Sequence, residues 1–386
     1  MRRSLQSLRM DRRLLILTVG VLLLVMVLAV LTAGSAGAAP SSQEVSNDTC
    51  LSCHSQPDLS KTLPSGEIWS LFVDGDHFGE AVHGQEDVAC VECHERNAVF
   101  PHPEFVVADL RGVSLQLYQT CEKCHAEQYS SVLDSAHQRA FAAGNFEAAV
   151  CTDCHNPHTQ MRLTDETTGA ILPEARLHIP ETCARCHSTI YEDYRETVHG
   201  AALTDEDNMD VPTCIDCHGV HDIQDPTTAQ FRNDTPLLCA RCHTDPAVMD
   251  KYGLSTDVYD TYVTDFHGTT VALFEKVHPD LPTNKAVCTD CHGIHDIKAV
   301  DDPEVGIALK ENLLVKCQRC HPDATVNFPD SWMSHYIASP VNYPLVFYVN
   351  LFYKIFIPAV LGGMTIYVLT DVYRRFIARG KGEAHS

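Results

Sequence analysis

The pentapeptide Cys-x-x-Cys-His occurs nine times in this chain of 386 residues, and the nine copies contain all eighteen cysteines. Because no cysteine is left over, one chemical explanation must serve every copy. The cysteine pairs are Cys50 and Cys53, Cys90 and Cys93, Cys121 and Cys124, Cys151 and Cys154, Cys183 and Cys186, Cys214 and Cys217, Cys239 and Cys242, Cys288 and Cys291, and Cys317 and Cys320. The histidines that follow them are His54, His94, His125, His155, His187, His218, His243, His292 and His321.

Each pentapeptide matches the attachment signature of c-type haem. Its two thiols can each add to one vinyl group on a porphyrin edge, and the following histidine is placed to ligate the iron from one face. Zinc sites and disulfides also use Cys-x-x-Cys pairs, and iron–sulfur clusters use other cysteine spacings. None of these three alternatives requires a histidine directly after the second cysteine in all nine copies. The sequence therefore predicts nine covalently bound haem c groups.

The composition fits a chain whose core is supplied largely by porphyrins. Hydrophobic residues make up 45% of the chain and aromatic residues only 8%, and the formal net charge is −23. That charge disfavours nucleic acid and anionic lipid headgroups and suits basic partners. We expect a mainly α fold, in which short helices and loops wrap around a chain of haems.

Residues 1–40 contain the first of two strongly hydrophobic segments. The apolar run Leu14–Thr32 follows five arginines and precedes the small residues Ala33–Pro40. The motif Ala36-Gly37-Ala38 is typical of a signal-peptide cleavage site, but nineteen apolar residues are also long enough to span a bilayer. The segment is thus predicted to be either a cleaved signal peptide or an uncleaved N-terminal anchor helix. Both interpretations place the haem domain outside the cytoplasm.

The second hydrophobic segment covers residues 341–373 and is predicted to be a C-terminal transmembrane helix. Lys354 lies near its outer end, where its stem can extend toward the interface, and several tyrosines cluster at the same end, as in an interfacial aromatic belt. Residues 374–386 are rich in arginine and lysine, so the positive-inside rule predicts a cytoplasmic tail. A buried helix of a soluble protein is the alternative. We expect a protein of the cytoplasmic membrane, with one or two spans and the haem domain on the periplasmic or extracellular side.

Between these segments, residues 41–340 are predicted to form a nonahaem cytochrome c domain built from repeats. The motifs fall into pairs, and a further histidine follows the second member of each pair, as in Cys217-His218-Gly219-Val220-His221. We number these two-motif repeats one to four along the chain. They cover residues 50–110, 121–160, 183–225 and 239–298, and the ninth motif with its surroundings covers residues 317–340.

A second pattern lies between the two motifs of a repeat. It is Tyr191-x-x-Tyr194-x-x-x-Val198-His199-Gly200 in the third repeat, and the fourth repeat carries the same pattern from Tyr259 to Gly268. Positions i, i+3 and i+7 share one face of a helix, so we expect a single helix that presents the histidine to an iron. The glycine would permit either a close backbone approach or a helix end.

The histidine count matches the number of axial positions. Nine of the 22 histidines belong to the motifs, and the repeat selects nine of the remaining thirteen as distal ligands. His77 could replace His83, His278 could replace His267, and His178 and His385 are expected to be bystanders. Bis-histidine ligation predicts low-spin haems of low reduction potential, because methionine is the axial ligand that raises the reduction potential. The predicted distal ligands are His83, His102, His137, His158, His199, His221, His267, His295 and His335.

These motifs resemble the multihaem c-type cytochromes with paired Cys-x-x-Cys-His motifs, which include periplasmic electron carriers and membrane-anchored tetrahaem quinol dehydrogenases. The resemblance covers residues 45–340. It implies short helices wrapped on a haem chain that passes electrons between a quinol-oxidising membrane site and an external acceptor. The tail, with Asp371-Val372-Tyr373-Arg374-Arg375, is similar to anchors of cytochrome subunits that work beside a membrane cytochrome b. The chain differs from the small tetrahaem dehydrogenases in its nine motifs and its C-terminal span.

Two function classes follow from the sequence. In the first, the chain is an electron-transfer subunit, without catalytic residues of its own, between a quinone-linked membrane subunit and a soluble or extracellular redox partner. In the second, it is a terminal reductase of nitrogen or sulfur oxyanions, which requires one iron with an open coordination position. No Cys-x-x-Cys-Lys motif is present to provide one, so the second class depends on an error among the distal ligands. A conductive filament or a haem store is a third, non-enzymatic interpretation, which the C-terminal anchor disfavours.

Overall fold

Short helices joined by loops make up most of the chain in the computed structural model, which describes residues 45–332 and 334–382. The described chain is mainly helical, as predicted from the sequence. The predicted N-terminal signal or anchor segment and His385 lie outside the described residues. The described residues divide into two compact bodies.

The first body contains the first two motifs and consists of residues 45–61, Ser70–Gly75 and Asp87–Val106. Asn47 joins the motifs: its side-chain amide donates to the carbonyl of Val88 at 3.1 Å, and its side-chain oxygen accepts from the backbone N–H of Cys90 at 2.8 Å. These bonds hold the start of one motif helix against the start of the other. The helices of this body are Asn47–His54, Cys90–Cys93 and a 3₁₀ turn at Glu95–Asn97.

The second body consists of Thr62–Trp69, Asp76–Glu86 and residues 107–382, and it contains the other seven motifs. The strands of the described chain, Ser60–Thr62 and Ile68–Ser70, each include residues of both bodies. The α-helices, beginning with one whose first residue is Gly75, are Gly75–Glu80, Val82–Gln85, Leu110–Leu117, Ala126–Leu133, Ala136–Ala142, Cys151–Cys154, Pro173–Ala184, Ser188–Arg195, Val198–Glu206, Cys214–His218, Ala229–His243, Pro246–Met249, Val258–Thr264, Phe266–Val277, Cys288–His292, Lys310–Gln318 and Pro344–Gly382. The 3₁₀ turns are Tyr118–Lys123, Asp250–Tyr252 and Phe328–Ser331.

The segment between the two motifs of a repeat folds as two helices, so the prediction of one continuous helix was wrong. We call the first the tyrosine helix and the second the histidine helix; the pairs are Ala126–Leu133 with Ala136–Ala142, Ser188–Arg195 with Val198–Glu206, and Val258–Thr264 with Phe266–Val277. An extended residue separates them and caps the histidine helix, because its side-chain oxygen accepts from the backbone N–H three residues later. The capping residues are Ser135, Thr197 and Asp265. The local cap therefore overrides the helical periodicity of the tyrosines.

The glycine after the distal histidine permits a close backbone approach and does not end the helix. A Cβ atom at Gly200 would collide with the carbonyl of Tyr194, the last tyrosine of the preceding helix. Gly268 is in the same position against Tyr262. The absence of a side chain thus lets the histidine helix fold back tightly on the tyrosine helix.

Backbone hydrogen bonds join the histidine helices of the second and third repeats to the next repeat. The N–H of Ala136 donates to the carbonyl of Ile223 at 2.7 Å, and the N–H of Val198 donates to that of Ile297 at 3.0 Å. Both acceptors lie two residues after the histidine that follows a second motif. The same bond joins Val82 to Gln160 at 2.8 Å. Two predicted distal histidines from different repeats are therefore held side by side by main-chain geometry alone.

For the second, third and fourth repeats, an arginine–aspartate ion pair joins the helix that leads into the first motif to the second motif. Arg176 and Asp216 approach to 2.8 Å, and the pairs Arg111–Asp153 and Arg232–Asp290 approach to 2.8 and 2.7 Å. Each aspartate also accepts from the backbone N–H just before its motif. Because each arginine also donates to backbone carbonyls, the pair fixes both the position and the orientation of the motif helix.

The apolar core made by side chains is small. Among the residues whose burial is described, only twelve apolar side chains are buried, including Leu203, Val271 and Val287, and many larger ones are exposed. A domain of this size normally buries most of its apolar surface. The side-chain core of the described residues is therefore smaller than a domain of this size normally has.

Pro344–Gly382 forms a helix of 39 residues at the end of the described chain. Its part Pro344–Phe376 is the one described helix that is long and apolar enough to cross a membrane, with a hydropathy of 1.8 and no burial inside the protein. At about 1.5 Å per residue it extends about 50 Å, more than the roughly 30 Å of a bilayer's hydrocarbon core. The helix continues through the basic residues Arg374 and Arg375, so the predicted tail begins as part of it.

Replacing Gly200 by alanine should destabilise the protein, because the new methyl group meets a backbone carbonyl that cannot move aside. Overpacking of this kind costs about 1–3 kcal/mol. Gly79, which also lies in a helix but has open space around it, is the matched control, and Gly79→Ala should be neutral or slightly stabilising. Thermal unfolding followed by circular dichroism compares the two variants. Equal melting temperatures for Gly200→Ala and the unmodified protein would contradict the close approach.

Candidate haem sites

Eight of the nine motif histidines face one predicted distal histidine. The ring centroids of the two imidazoles are 6.0–6.4 Å apart in every pair. The pairs, with the motif histidine first, are His54 with His102, His125 with His83, His155 with His221, His187 with His137, His218 with His295, His243 with His199, His292 with His335, and His321 with His267.

This separation matches two imidazoles that bind one metal ion from opposite sides. A nitrogen–metal bond is about 2 Å long and the ring centroid lies about 1.2 Å behind the nitrogen, so the two centroids should be about 6.3 Å apart. Imidazoles in van der Waals contact would be closer. In the described chain no three His, Cys, Asp or Glu side chains gather as a zinc site requires. The paired histidines and the adjacent cysteines therefore fit an iron porphyrin.

Hydrogen bonds fix which nitrogen of several imidazoles faces the partner. Nδ1 of His54 lies 2.7 Å from the carbonyl of Leu71, and Nδ1 of His102 lies 2.8 Å from that of Val99. Since a carbonyl only accepts, Nδ1 must carry the proton, which leaves Nε2 unprotonated and able to bind a metal. His83, whose Nδ1 lies 3.0 Å from the carbonyl of Pro157, is held in the same way.

His335 is oriented by a side chain. The hydroxyl of Thr261 donates to the carbonyls of Asp257 and Val258, at 2.7 and 3.1 Å, so it is free to accept from Nδ1 of His335 at 3.3 Å. His335 therefore presents Nε2 to His292. The hydroxyl of Thr261 thus orients the imidazole of His335, as the carbonyl of Pro157 orients that of His83.

Burial keeps the imidazoles of His199 and His292 neutral. Desolvation, followed by the nearby His243, lowers the pKa of His199 to about 4. Desolvation, followed by His335 and His243, lowers the pKa of His292 to about 4 as well. A neutral imidazole has a free lone pair, so these residues are ready to ligate a metal at neutral pH without first losing a proton.

The first cysteines of the two motifs in a repeat are hydrogen-bonded to each other. Cys121 bonds to Cys151 in the second repeat, and the same contact occurs in the other three repeats: Cys50 with Cys90, Cys183 with Cys214, and Cys239 with Cys288. No disulfide joins any of the eighteen cysteines. Groups attached to the two motifs of one repeat would therefore be close neighbours.

A different cysteine contact connects consecutive repeats in the second body. Burial and the nearby Cys239 raise the pKa of Cys217 to about 11, and burial and the nearby Cys317 raise that of Cys291 to about 11. Burial and then Cys183 raise the pKa of Cys154 in the same way. The second motif of one repeat thus lies beside the first motif of the next. The two kinds of contact alternate along the chain.

His54 faces His102 of its own repeat, whereas the other seven paired motif histidines have partners from a neighbouring part of the chain. Histidines of the histidine helices face the first motif of the following repeat, as His199 faces His243 and His267 faces His321. Histidines after a second motif face the second motif of the preceding repeat, as His295 faces His218. This exchange could not be read from the sequence, which gives the residue types but not their partners.

The predicted bystander His178 and the alternative ligands His77 and His278 are not among these eight pairs, and some functional neighbours were not foreseen. His178 is exposed and bonds to Glu181, and His77 and His278 are exposed. Phe231 stacks on His218, with ring centroids 5.5 Å apart. The aspartates of the ion pairs could have been identified from the sequence, because Cys-x-Asp-Cys-His recurs in the second motifs.

Comparison with known proteins points to the same class. The chain is similar to the multiheme cytochrome MtrA of Shewanella baltica (strain OS185), with 28% identity over 147 residues. The match covers 38% of this chain and 33% of MtrA, so the chain spans about a third of that relative's length. No protein-family model and no solved structure matches the chain. The similarity supports a multihaem c-type cytochrome.

Proposed function

We propose that the chain is a membrane-anchored nonahaem cytochrome c. It relays electrons between a quinone-linked membrane partner, such as a cytochrome b, and a soluble or extracellular redox partner. The observation that carries the proposal is the set of eight histidine pairs at metal-bridging distance. Each pair would occupy both axial positions of one iron, and His94 and His158 complete the eighteen axial ligands that we propose.

Two axial histidines leave no coordination position for a substrate, which favours a relay over a reductase. The reductase hypothesis depended on an error among the less certain distal ligands, such as His83 or His102. Both face a motif histidine, at 6.1 and 6.2 Å. No described feature favours an open iron, so the relay is the function that the sites support best.

The cysteine contacts support a route for the electrons. From the third to the ninth motif, each motif lies beside the next in sequence order, through contacts such as Cys183 with Cys214 and Cys217 with Cys239. Thioether bonds to these cysteines would bring successive porphyrin edges close together. We propose that electrons follow the motif order, with the ninth site nearest in sequence to the membrane helix.

The basic end of Pro344–Phe376 supports the proposed orientation of the anchor. Arg374 and Arg375 would lie in the cytoplasm and the haem domain on the opposite, periplasmic or extracellular side. A fluorescent reporter that matures only in the cytoplasm should therefore fluoresce when fused after Ser386. The same reporter fused after Tyr343, before the helix, should stay dark. A dark fusion at Ser386 would contradict the proposed topology.

Replacing His199 by methionine should change one site of the nine. The thioether would take the axial position facing His243, and methionine ligation raises the potential of a c-type haem. We expect a one-electron component at higher potential in a spectroelectrochemical titration, together with a sulfur–iron charge-transfer band. His178→Gln removes an exposed imidazole and is the matched control, with no expected change. Identical titrations of His199→Met and the unmodified protein would refute the ligand assignment.

Removing one interior site should cut the relay. A Cys214→Ala/Cys217→Ala variant is supplied with electrons by a quinol analogue, through membranes that contain the quinone-linked partner. These electrons should quickly reduce only the haems of motifs seven to nine. The expected fast phase is three of the eight remaining haems, measured by stopped-flow absorbance. Removing the first site instead, with Cys50→Ala/Cys53→Ala, should leave all eight in the fast phase. Equal fast phases in both variants would contradict the proposed order, and fast reduction without membranes would indicate direct quinol oxidation.

A further inference from the structure

The residue that caps a histidine helix is neutral in the second and third repeats and carries a carboxylate in the fourth. The cap lies two residues before the distal histidine, and it is Ser135, Thr197 or Asp265 in the second, third and fourth repeats. Ala81 stands at this position in the first repeat and makes no side-chain cap. All three polar caps accept the same backbone N–H bond. A hydroxyl is therefore sufficient for the cap, and the carboxylate of Asp265 adds a charge that capping does not require.

That carboxylate lies beside the distal histidine of the ninth site. Oδ1 of Asp265 accepts from the N–H of Gly268 at 2.9 Å and lies 4.0 Å from Nδ1 of His267. Oδ2 is buried and has no hydrogen-bond partner among the described residues. The carboxylate thus has an oxygen that the protein leaves unused, next to the imidazole that faces His321.

Aromatic rings lie close to the imidazole of His267. The ring of Trp332 lies 6.3 Å from that of His267 and 6.1 Å from that of His335, and Phe266 lies 6.2 Å from His267. The Oδ2 atom of Asp265 is itself buried, so a charge on it is screened less than one at the surface.

We propose that Asp265 is a positioning residue that lowers the reduction potential of the ninth site below those of the fifth and seventh, whose distal histidines follow Ser135 and Thr197. The inference rests on the proposed function, namely on ligation of the ninth iron by His267 and His321. A negative charge near Nδ1 makes the imidazole a stronger donor and stabilises ferric iron more than ferrous iron. The hydroxyl caps carry no such charge.

The consequence is a direction for the electrons. Electrons move spontaneously from a site of lower potential to one of higher potential. The ninth site is nearest in sequence to the membrane helix, so a low potential there favours transfer away from the membrane, toward the seventh and fifth sites. The aspartate would make the array an outward conductor with a low-potential entry point.

The test compares Asp265→Asn and Asp265→Thr with the unmodified protein by spectroelectrochemical titration. Asparagine keeps the shape and the capping oxygen, and threonine is the cap that the third repeat uses. Both variants should shift one one-electron component to higher potential by at least a tenfold change in the ferric-to-ferrous ratio, about 59 mV. Asp260→Asn, which removes an exposed carboxylate from the neighbouring tyrosine helix, should leave every component unchanged. Thr197→Asp, the reciprocal change, should lower a different component.

His267→Met identifies the component that belongs to the ninth site, because it raises the potential of that site by ligand exchange. The inference is overturned if this component moves in His267→Met but stays fixed in Asp265→Asn and Asp265→Thr, and the proposed function then stands. If His267→Met itself changes neither the absorption spectrum nor any component, the ligand assignment fails and the inference fails with it. Haem content by pyridine haemochrome should be the same in all variants, which shows that a shift reflects charge and not loss of a site.

Discussion

Facing pairs of imidazoles, each at the distance that one metal ion would bridge, are the interaction on which the rest of the structure depends. Few apolar side chains are buried, so packing among the described residues leaves much of the hydrophobic core to another group. Neighbouring repeats are joined twice and in opposite directions: His137 faces His187 and His221 faces His155. With the proposed irons in place, no repeat of the second body could leave its neighbour without breaking two coordination bonds. The cofactor would then serve as both core and cross-link.

The polypeptide contributes geometry that does not depend on the cofactor. The N–H of Ala136 bonds to Ile223, which places His137 and His221 next to each other before any metal is bound. The Arg176–Asp216 ion pair fixes the motif helix that presents Cys214. Each of these bonds recurs in neighbouring repeats. Such preorganisation matters because an axial ligand must meet the iron within a few tenths of an ångström, and a ligand held by main-chain bonds loses little entropy on binding.

The sequence suggests which residue types could form the sites but not which residues are partners, for a physical reason. Local spacing decides which residues can attach a porphyrin, so the nine motifs and the distal candidates were accessible from the sequence. His199 faces His243, which lies beyond the next motif, and its partner depends on how repeats pack together. The break between Tyr194 and His199 was also missed, since the helical period of the tyrosines concealed the capping role of Thr197. A cap is one residue with a competing hydrogen bond, and a single residue outweighs a periodic pattern when it satisfies an otherwise unpaired N–H.

A chain of nearly identical sites must obtain its differences from what surrounds the ligands. If every iron has two histidines, ligand type cannot order the potentials, and burial, hydrogen bonds and charge remain as the means to do so. The cap position is suited to this role, because its fold requirement is a single acceptor oxygen that serine, threonine and aspartate all provide. Exchange among them preserves the helix while it adds or removes a charge two residues from an axial ligand. Repetition of the motif thus fixes the conduction path, and variation at one tolerant position can set its direction.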